Sequence, residues 1–519
     1  SGGGIPYLGD LVFYHAGYPA LLAPLFRVLS SPAAVFRGTQ TLNAVAAGAA
    51  FVILVHLGQS AFGLPRRRAL AVAGLASVYP AVLLQSGFEW PESVFVATFA
   101  GCSVLAWSFL RRPSAPAAAA LGAATAFLYA VHPRGLSMVV ATAGLLTVVA
   151  VQQRRHAGAA TAGVAALGAG VAITTAVHAA SRAALWADGT GPASIGLAER
   201  LTNPAIWSEL ALRAAGQLWY LTVVSLGLAV LGVAFLVSMA AGRRSAPDVP
   251  GSPQRGLAVY LLVTMGAMAF ASVLQITTHT RVDHLVYGRY NEGFLPVLLV
   301  AGGAWLLGPA RARARLGVAL GTVAAILLLA TVVVTGNGPA AFYGDIAGIN
   351  VLGALMMDRI DPDHLDVVVV TVVALIAVIA LAVVSLRRPA VAATLVGMAF
   401  LASAVDLERR VTAPVADVAN HTYVLAPQVD QFADAGVPVS YDLAAHDLLA
   451  ANRYQFQLME RPFVFFDSAA GEEPVSGVVI ASRSWGEGRE AGRMVFAEPH
   501  HDQALWIVEP AEPADPAPV

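Results

Sequence analysis

The sequence predicts an all-α polytopic membrane bundle of about twelve transmembrane helices, followed by a small extracytoplasmic α/β domain. Three observations lead there. Of the 519 residues, 57% are hydrophobic and only 12% charged, against about 25% charged in an ordinary soluble domain. The apolar residues fall in continuous runs of roughly 20, the length a helix needs to cross the hydrocarbon core, and continuous rather than alternating runs select helices over a barrel. After Asp406 the long runs stop and short strand-like segments replace them.

Runs long enough to cross, or nearly to cross, a bilayer lie at 39–58, 69–86, 93–110, 116–131, 135–151, 160–180, 213–240, 256–277, 291–308, 316–336, 366–386 and 390–406. The 116–131 and 135–151 pair also reads as one broken unit. Arginines order these spans by the positive-inside rule. Arg66, Arg67 and Arg68 follow the first; Arg111 and Arg112 the third; Arg154 and Arg155 the fifth. Arg243, Arg244 and Arg255 follow the seventh, Arg311, Arg313 and Arg315 the ninth, and Arg387 and Arg388 the eleventh. Every odd-to-even connection is basic, as cytoplasmic loops are. The remaining loops and the C-terminal domain are therefore expected outside the cytoplasm.

Four regions follow: an outer loop with a surface helix at 1–38, the bundle at 39–406, an α/β domain at 407–508 and a disordered tail at 509–519. In the α/β domain, Val437–Tyr441, Pro462–Phe466 and Gly477–Ala481 read as strands, with a helix around Ala444–Asn452. The chain opens Ser-Gly-Gly-Gly without a methionine or a span before residue 39. The native chain is therefore expected to begin further upstream, with one more span.

Several functions lack support. A net charge of −1 argues against a nucleic-acid surface, and the single cysteine, Cys102, allows no intramolecular disulfide. There is no Walker A sequence, His-Glu-x-x-His helix, Gly-x-Ser-x-Gly elbow or CxxC pair.

Outer-loop segments concentrate the chemistry. Thr280 to Glu292 packs Arg281, Asp283, His284, Tyr287, Arg289, Tyr290 and Glu292 around one membrane entrance. Ionisable groups there are expensive unless paired or facing a polar cavity. Arginine suits bidentate phosphate recognition, tyrosine stacks on or donates to a sugar, and a carboxylate serves as base or metal ligand. A self-satisfied helix cap with belt tyrosines is the alternative. The Phe88-Glu89-Trp90-Pro91-Glu92-Ser93 turn puts Pro91 in the first turn of a helix and Glu92 beside its positive end. Two acids on so short a turn also suit a general base or a divalent cation, Mg or Mn. In Tyr129-Ala130-Val131-His132-Pro133-Arg134-Gly135, His132 and Arg134 can hold a phosphate, or Arg134 can snorkel to anionic lipid.

Near the start, Asp10 and His15 precede an amphipathic stretch to Leu29 that suits the membrane surface. Trp186, Trp207, Trp219 and Tyr220 read most simply as interfacial belt residues. The acidic 337–365 loop, with Tyr343, Asp345, Asp358, Asp361, Asp363 and His364, reads as a solvated loop or a lid.

Together, Phe13-Tyr14-His15-Ala16-Gly17-Tyr18-Pro19, the Phe88–Ser93 turn, His132-Pro133-Arg134-Gly135 and Val286-Tyr287-Gly288-Arg289-Tyr290-Asn291-Glu292 resemble the GT-C class of integral membrane glycosyltransferases. The abundance of Ala, Val, Gly and Arg with scarce Lys fits a high-GC, actinobacterial source. The resemblance implies transfer of a hexose or pentose from a polyprenyl-phosphate-linked donor to a cell-envelope glycan, lipid or protein. It also implies a catalytic acid in the first outer loop, where Asp10 is the match unless the base lies upstream of residue 1. The implied mechanism is an inverting displacement. Asp10, Glu89, Glu92, Asp283 and Glu292 are then the candidate catalytic carboxylates. His15, His132, Arg134, Arg281, His284, Tyr287, Arg289 and Tyr290 are the candidate substrate-binding residues. A polytopic transporter and a non-catalytic scaffold with a binding domain are the rival readings; polar groups gathered at one surface rather than at mid-bilayer favour an enzyme over a transporter.

Overall fold

A computed structural model describes residues 15–185, 202–204, 206–242, 253–276, 282–308, 316–337, 341–343, 364–414, 416–417, 424–434, 436–445, 448–486, 492–499 and 501–508. The protein is a multi-pass membrane protein: seven of its described helices are long and apolar enough to cross a bilayer, among them Pro32–Ser60, Glu92–Arg111, Pro253–Ile276 and Val367–Arg387. Ala115–Val131, Leu295–Leu306 and Gly321–Gly336 are shorter apolar helices. The first span begins at Pro32, where Ser31 caps the helix by accepting from the Ala34 N–H, rather than at residue 39.

Three runs expected as single spans are broken. The 213–240 run forms Ile206–Val224 and Leu228–Ala240, bent by 102°. Between them Leu226 and Gly227 take positive φ values of 49° and 79°, a backbone turn that ends one helix and re-aims the next. The 69–86 run forms Arg66–Ser77 and Pro80–Gln85. Pro80 has no N–H to donate, and Tyr79 before it takes an extended ψ of 128°. Likewise the 291–308 run is a short turn of helix, Arg289–Glu292, followed by Leu295–Leu306. All three breaks bring polar side chains to the same place, as described below.

Lipid offers little hydrophobic drive for helix association, so close packing carries the weight. Leu228–Ala240 meets Leu295–Leu306 through facing glycines. A Cβ on Gly232 would sit 2.3 Å from the Leu298 carbonyl oxygen, and one on Gly302 would sit 2.2 Å from that of Leu228. Trp219 and Tyr220, read above as belt residues, are instead fully buried. Their polar atoms have partners inside the bundle, which is why the rings can leave the interface: Trp219 Nε1 donates to Thr371 Oγ1 at 2.7 Å and Tyr220 donates to Glu292. Trp207 is exposed, and Trp186 lies outside the described residues.

Most of the acidic 337–365 loop also lies outside the described residues. Its ends pair as an antiparallel ribbon, β1 (Ala341–Tyr343) with β2 (His364–Asp366), where no strand was expected. Asp366 then caps the Val367–Arg387 helix by accepting from the Val368 and Val369 N–H groups.

The C-terminal domain holds a five-stranded sheet of β3 (Val439–Asp442), β4 (Phe463–Phe466), β5 (Val478–Ser482), β6 (Gly492–Ala497) and β7 (Gln503–Val508) in the order β4-β3-β5-β7-β6. The first three expected strands are present, parallel to one another, while β6 and β7 are additions that pair antiparallel. The helix that connects β3 to β4 runs Leu448–Gln457, later than expected, and buries Ala450, Ala451 and Tyr454 against the sheet. Glu498, fully buried, accepts from the Val424 and Leu425 N–H groups and the Tyr454 hydroxyl, tying the start of the domain to its sheet. The tail at 509–519 lies outside the described residues. Phe456 meets Phe26 of the Gly17–Val28 surface helix at 6.3 Å between ring centroids, so the domain rests on that helix.

Overpacking the glycine contact between Leu228–Ala240 and Leu295–Leu306 costs about 1–3 kcal/mol. Gly302→Val should therefore lower the thermal unfolding midpoint of the detergent-solubilised protein, whereas Gly48→Ala, where a Cβ meets nothing within 4 Å, should leave it unchanged or raise it. Equal behaviour of the two variants would show that the helix pair is not closely packed.

Candidate functional site

Glu92 opens the Glu92–Arg111 helix directly after Pro91, as the turn chemistry predicts, and is 2% exposed. One of its oxygens, Oε1, accepts from two guanidinium groups, Arg134 Nη2 at 3.3 Å and Arg289 Nε at 3.1 Å. Three distant segments thus meet on one atom.

Arg134 comes from the break between Ala115–Val131 and Leu136–Gln152, where His132 is extended and Pro133–Gly135 makes a single turn. Its other nitrogens are engaged as well. The backbone N–H and Nε each donate to His132 Nδ1 at 3.1 Å, and Nη1 donates to the carbonyls of Arg289 at 3.3 Å and Tyr290 at 3.0 Å. Its guanidinium also lies over the rings of Phe95 and Tyr290, at 4.9 and 5.1 Å. Arg134 is therefore a tie between three segments, with its side chain 6% exposed. Burial, reinforced by the Arg134 and Arg289 charges and by His15, holds the His132 imidazole well below its ordinary pKa. The neutral ring is the form that can accept from Arg134.

Arg289 is more open, with 21% of its side chain exposed, and stacks on Trp90 at 3.4 Å from the ring centroid. Its segment fits because glycine stands on both sides: a Cβ on Gly288 would fall 1.7 Å from the Tyr220 ring, and one on Gly293 would fall 2.7 Å from that of Phe95. Glu292, 1% exposed, accepts from neutral donors: Gln85 Nε2 on Oε2, and the Tyr220 hydroxyl on Oε1, each at 2.5 Å. The Tyr79 hydroxyl also donates to Oε1, at 3.4 Å. Asn291 donates to Gln217 Oε1 at 2.7 Å.

The other named residues sort as follows. His15 joins the cluster's edge, its Nδ1 2.7 Å from the Tyr129 carbonyl oxygen and its ring against Tyr129 and His178. His284, Tyr287, Tyr290 and His132 form a run of neighbouring rings, at successive centroid separations of 5.4, 4.8 and 6.2 Å. Glu89 lies within reach of the charge of Arg453 in the C-terminal domain. Although the residue keeps an exposed face, desolvation raises its carboxyl above the ordinary range and Arg453 partly opposes the rise. Asp10, Arg281 and the side chain of Asp283 lie outside the described residues.

Sequence reasoning missed Tyr79, Gln85 and Gln217, and took Tyr220 for a belt residue. The Tyr79-Pro80 step was a legible break, and Gln85 is a lone amide closing an apolar run. Nothing in the sequence pairs either with Glu292. As for a metal, no group of three or more His, Cys, Asp or Glu side chains converges among the described residues. The second oxygen of Glu92 is buried without a hydrogen-bond partner among them, yet two guanidinium groups beside it disfavour a cation. The described residues alone do not fit a site for Mg or Mn.

No protein-family model and no curated protein sequence matches the chain. Solved structures do. The crystal structure of ArnT from Cupriavidus metallidurans bound to undecaprenyl phosphate superposes with a TM-score of 0.51 over 95% of this chain and 87% of that one, at 14% identity. The apo form of the same protein gives 0.48 at 15% identity, over 96% and 89%. This chain has the fold of ArnT from the membrane helices through the C-terminal domain.

Removing the acid of a buried ion pair costs about 3–5 kcal/mol, because the partner charge stays buried. Glu92→Gln should accordingly lower the unfolding midpoint in detergent far more than Glu89→Gln, and equal midpoints would contradict the central role given to Glu92. The depressed His132 pKa sets a pH window. The unfolded chain, near pKa 6.5, binds the proton that the folded protein refuses, so stability falls as pH drops below about 6.5. A His132→Asn variant, which keeps an acceptor for Arg134, should lose less stability than the parent between pH 7 and 5; parallel losses would remove His132 from the account.

Proposed function

We propose that the chain is a membrane glycosyltransferase that takes a sugar from a polyprenyl-phosphate-linked donor and passes it to an extracytoplasmic cell-envelope acceptor. The observation that carries the reading is the arginine pair held on Glu92 at one end of the bundle, within a fold shared with a protein crystallised on undecaprenyl phosphate. The motif resemblance to the GT-C class points the same way.

In this reading the roles divide by exposure. Arg289, the more open of the pair, meets the phosphate of the donor and stabilises the negative charge that grows there as the glycosidic bond breaks. Arg134, with its donors engaged, fixes Glu92 and the 289–290 backbone around it. Glu92 is then a positioning residue rather than the base, since a carboxylate shared by two guanidinium groups is a poor proton acceptor. Glu292 is likewise held by Tyr79, Tyr220 and Gln85. The base falls to the segment before His15, where Asp10 stands five residues from a side chain packed beside the cluster. Five extended residues span up to ~17 Å, enough to reach it. That base takes the acceptor hydroxyl proton as the oxygen attacks the anomeric carbon, and the polyprenyl phosphate leaves with the bonding pair in an inverting displacement.

The test is polyprenyl-phosphate release in proteoliposomes given a polyprenyl-phosphate sugar. Arg289→Ala should lower turnover by about 100-fold or more, while its unfolding midpoint stays near that of the parent. Undiminished turnover would send the arginines back to a purely structural role and favour the scaffold reading.

A further inference from the structure

The Glu92 cluster lies at one end of the bundle; the opposite end carries a second feature that the proposed reaction does not use. Leu307 follows the Leu295–Leu306 helix at the end away from Glu292, and beside it a cavity of about 680 Å³ opens between the Arg66–Ser77 and Pro389–Leu407 helices. Small-molecule sites occupy about 300–1,000 Å³. Beyond Arg67, Arg68 and Thr394 the lining side chains are apolar, and Met398 and Leu401 on one side are half or more exposed, so the cavity is open to the surrounding lipid.

Its chemistry changes along its length. At the mouth stand Arg67 and Arg68, both exposed, with Arg387 and Arg388 just ahead of Pro389. Arg68 is anchored, its Nη1 donating to the Leu307 carbonyl at 2.7 Å. No acidic side chain is among the described residues lining the space. Leu401 lies twelve residues into its helix from Pro389, and hence ~18 Å deeper. About two-thirds of the way in, Gly74 and Gly397 sit in the interiors of the two helices, where a Cβ on either would meet nothing within 4 Å. Glycine inside a helix costs up to about 1 kcal/mol against alanine, and here no tight helix contact requires it. What the two glycines do is keep the space open.

We infer that this cavity binds one anionic phospholipid from the leaflet on the arginine-rich side, with its phosphate on Arg67 and Arg68 and an acyl chain between the two helices. A cationic mouth without acids over a lipid-open apolar slot complements an anionic headgroup joined to a chain, and basic pockets between membrane helices bind such headgroups. The polyprenyl carrier does not suit it, because its phosphate would then sit at the opposite end of the bundle from Arg289. The deep end of the slot has a consequence for the site. Val78 and Leu401 adjoin Tyr79 and Phe400, whose rings lie 5.5 Å apart, and the Tyr79 hydroxyl donates to Glu292. The bound chain therefore packs one residue away from the wall behind Glu292.

Native mass spectrometry of the full chain in detergent, titrated with phosphatidylglycerol and with phosphatidylcholine of the same acyl chains, tests the inference. A saturable one-to-one complex with phosphatidylglycerol is expected, at least ten-fold tighter than with phosphatidylcholine. Arg67→Ala, which leaves the Arg68 anchor intact, should weaken it by roughly five-fold. Gly397→Leu should fill the slot and abolish the complex while the thermal unfolding midpoint holds or rises, which separates loss of the site from loss of the fold. Equal binding of the two lipids, unchanged phosphatidylglycerol binding in Gly397→Leu, or one-for-one displacement by a polyprenyl phosphate would each overturn it.

Discussion

One carboxylate oxygen, Glu92 Oε1, is the point on which the described polar architecture converges. It joins the start of one membrane helix to Arg134 in the break between two others and to Arg289 in the turn ahead of a fourth. Two guanidinium groups side by side near a membrane surface, one buried and one partly buried, repel each other and lose hydration. A shared carboxylate offsets both penalties only if the backbone brings all three groups within hydrogen-bond distance. That requirement explains the glycines at 288 and 293, which admit the Arg289 segment between the Tyr220 and Phe95 rings. It also explains the neutral His132, whose acceptor nitrogen orients Arg134.

The same constraint makes sense of the broken helices. A straight helix keeps its polar backbone satisfied, and in lipid a break is tolerated where protein or a cavity receives the freed groups. Here the Tyr79-Pro80 step delivers Gln85 to Glu292, and the 289–292 turn delivers Arg289 to Glu92 and Glu292 to its three donors. The Ile206–Val224 helix contributes Tyr220 and Gln217 to the same region before the chain turns by 102°. The irregularities are spent on one site, at the end where the surface helix and the C-terminal domain also meet.

Much of the bundle was legible because its period and length are dictated by the bilayer: the long apolar runs became helical, most of them ending within about five residues of the expected bounds, with the starts at Pro32 and Ile206 seven residues early. What periodicity could not register was a break inside an apolar run, since a bent pair of helices and a straight span have the same composition. The arginines and acids of the site were legible for a related reason, because charge in such a chain is rare enough to be conspicuous. Their neutral partners were not. Tyr79, Gln85 and Tyr220 look like ordinary members of apolar helices until tertiary contacts, more than 70 residues apart in sequence, place them on Glu292. The two antiparallel strands of the C-terminal domain escaped notice because neither β6 nor β7 keeps a strict alternation; β7 runs buried for its first four residues.

The central claim is that Glu92 and Arg134 hold Arg289 in place to receive a lipid-linked phosphate. An electron cryomicroscopy structure of the full chain in nanodiscs with an added polyprenyl phosphate tests it most directly. The account predicts the phosphate within hydrogen-bonding distance of the Arg289 guanidinium, with the Glu92 bridge preserved. A phosphate bound elsewhere in the bundle, with Arg289 still closed on Glu92 and Trp90, would contradict it.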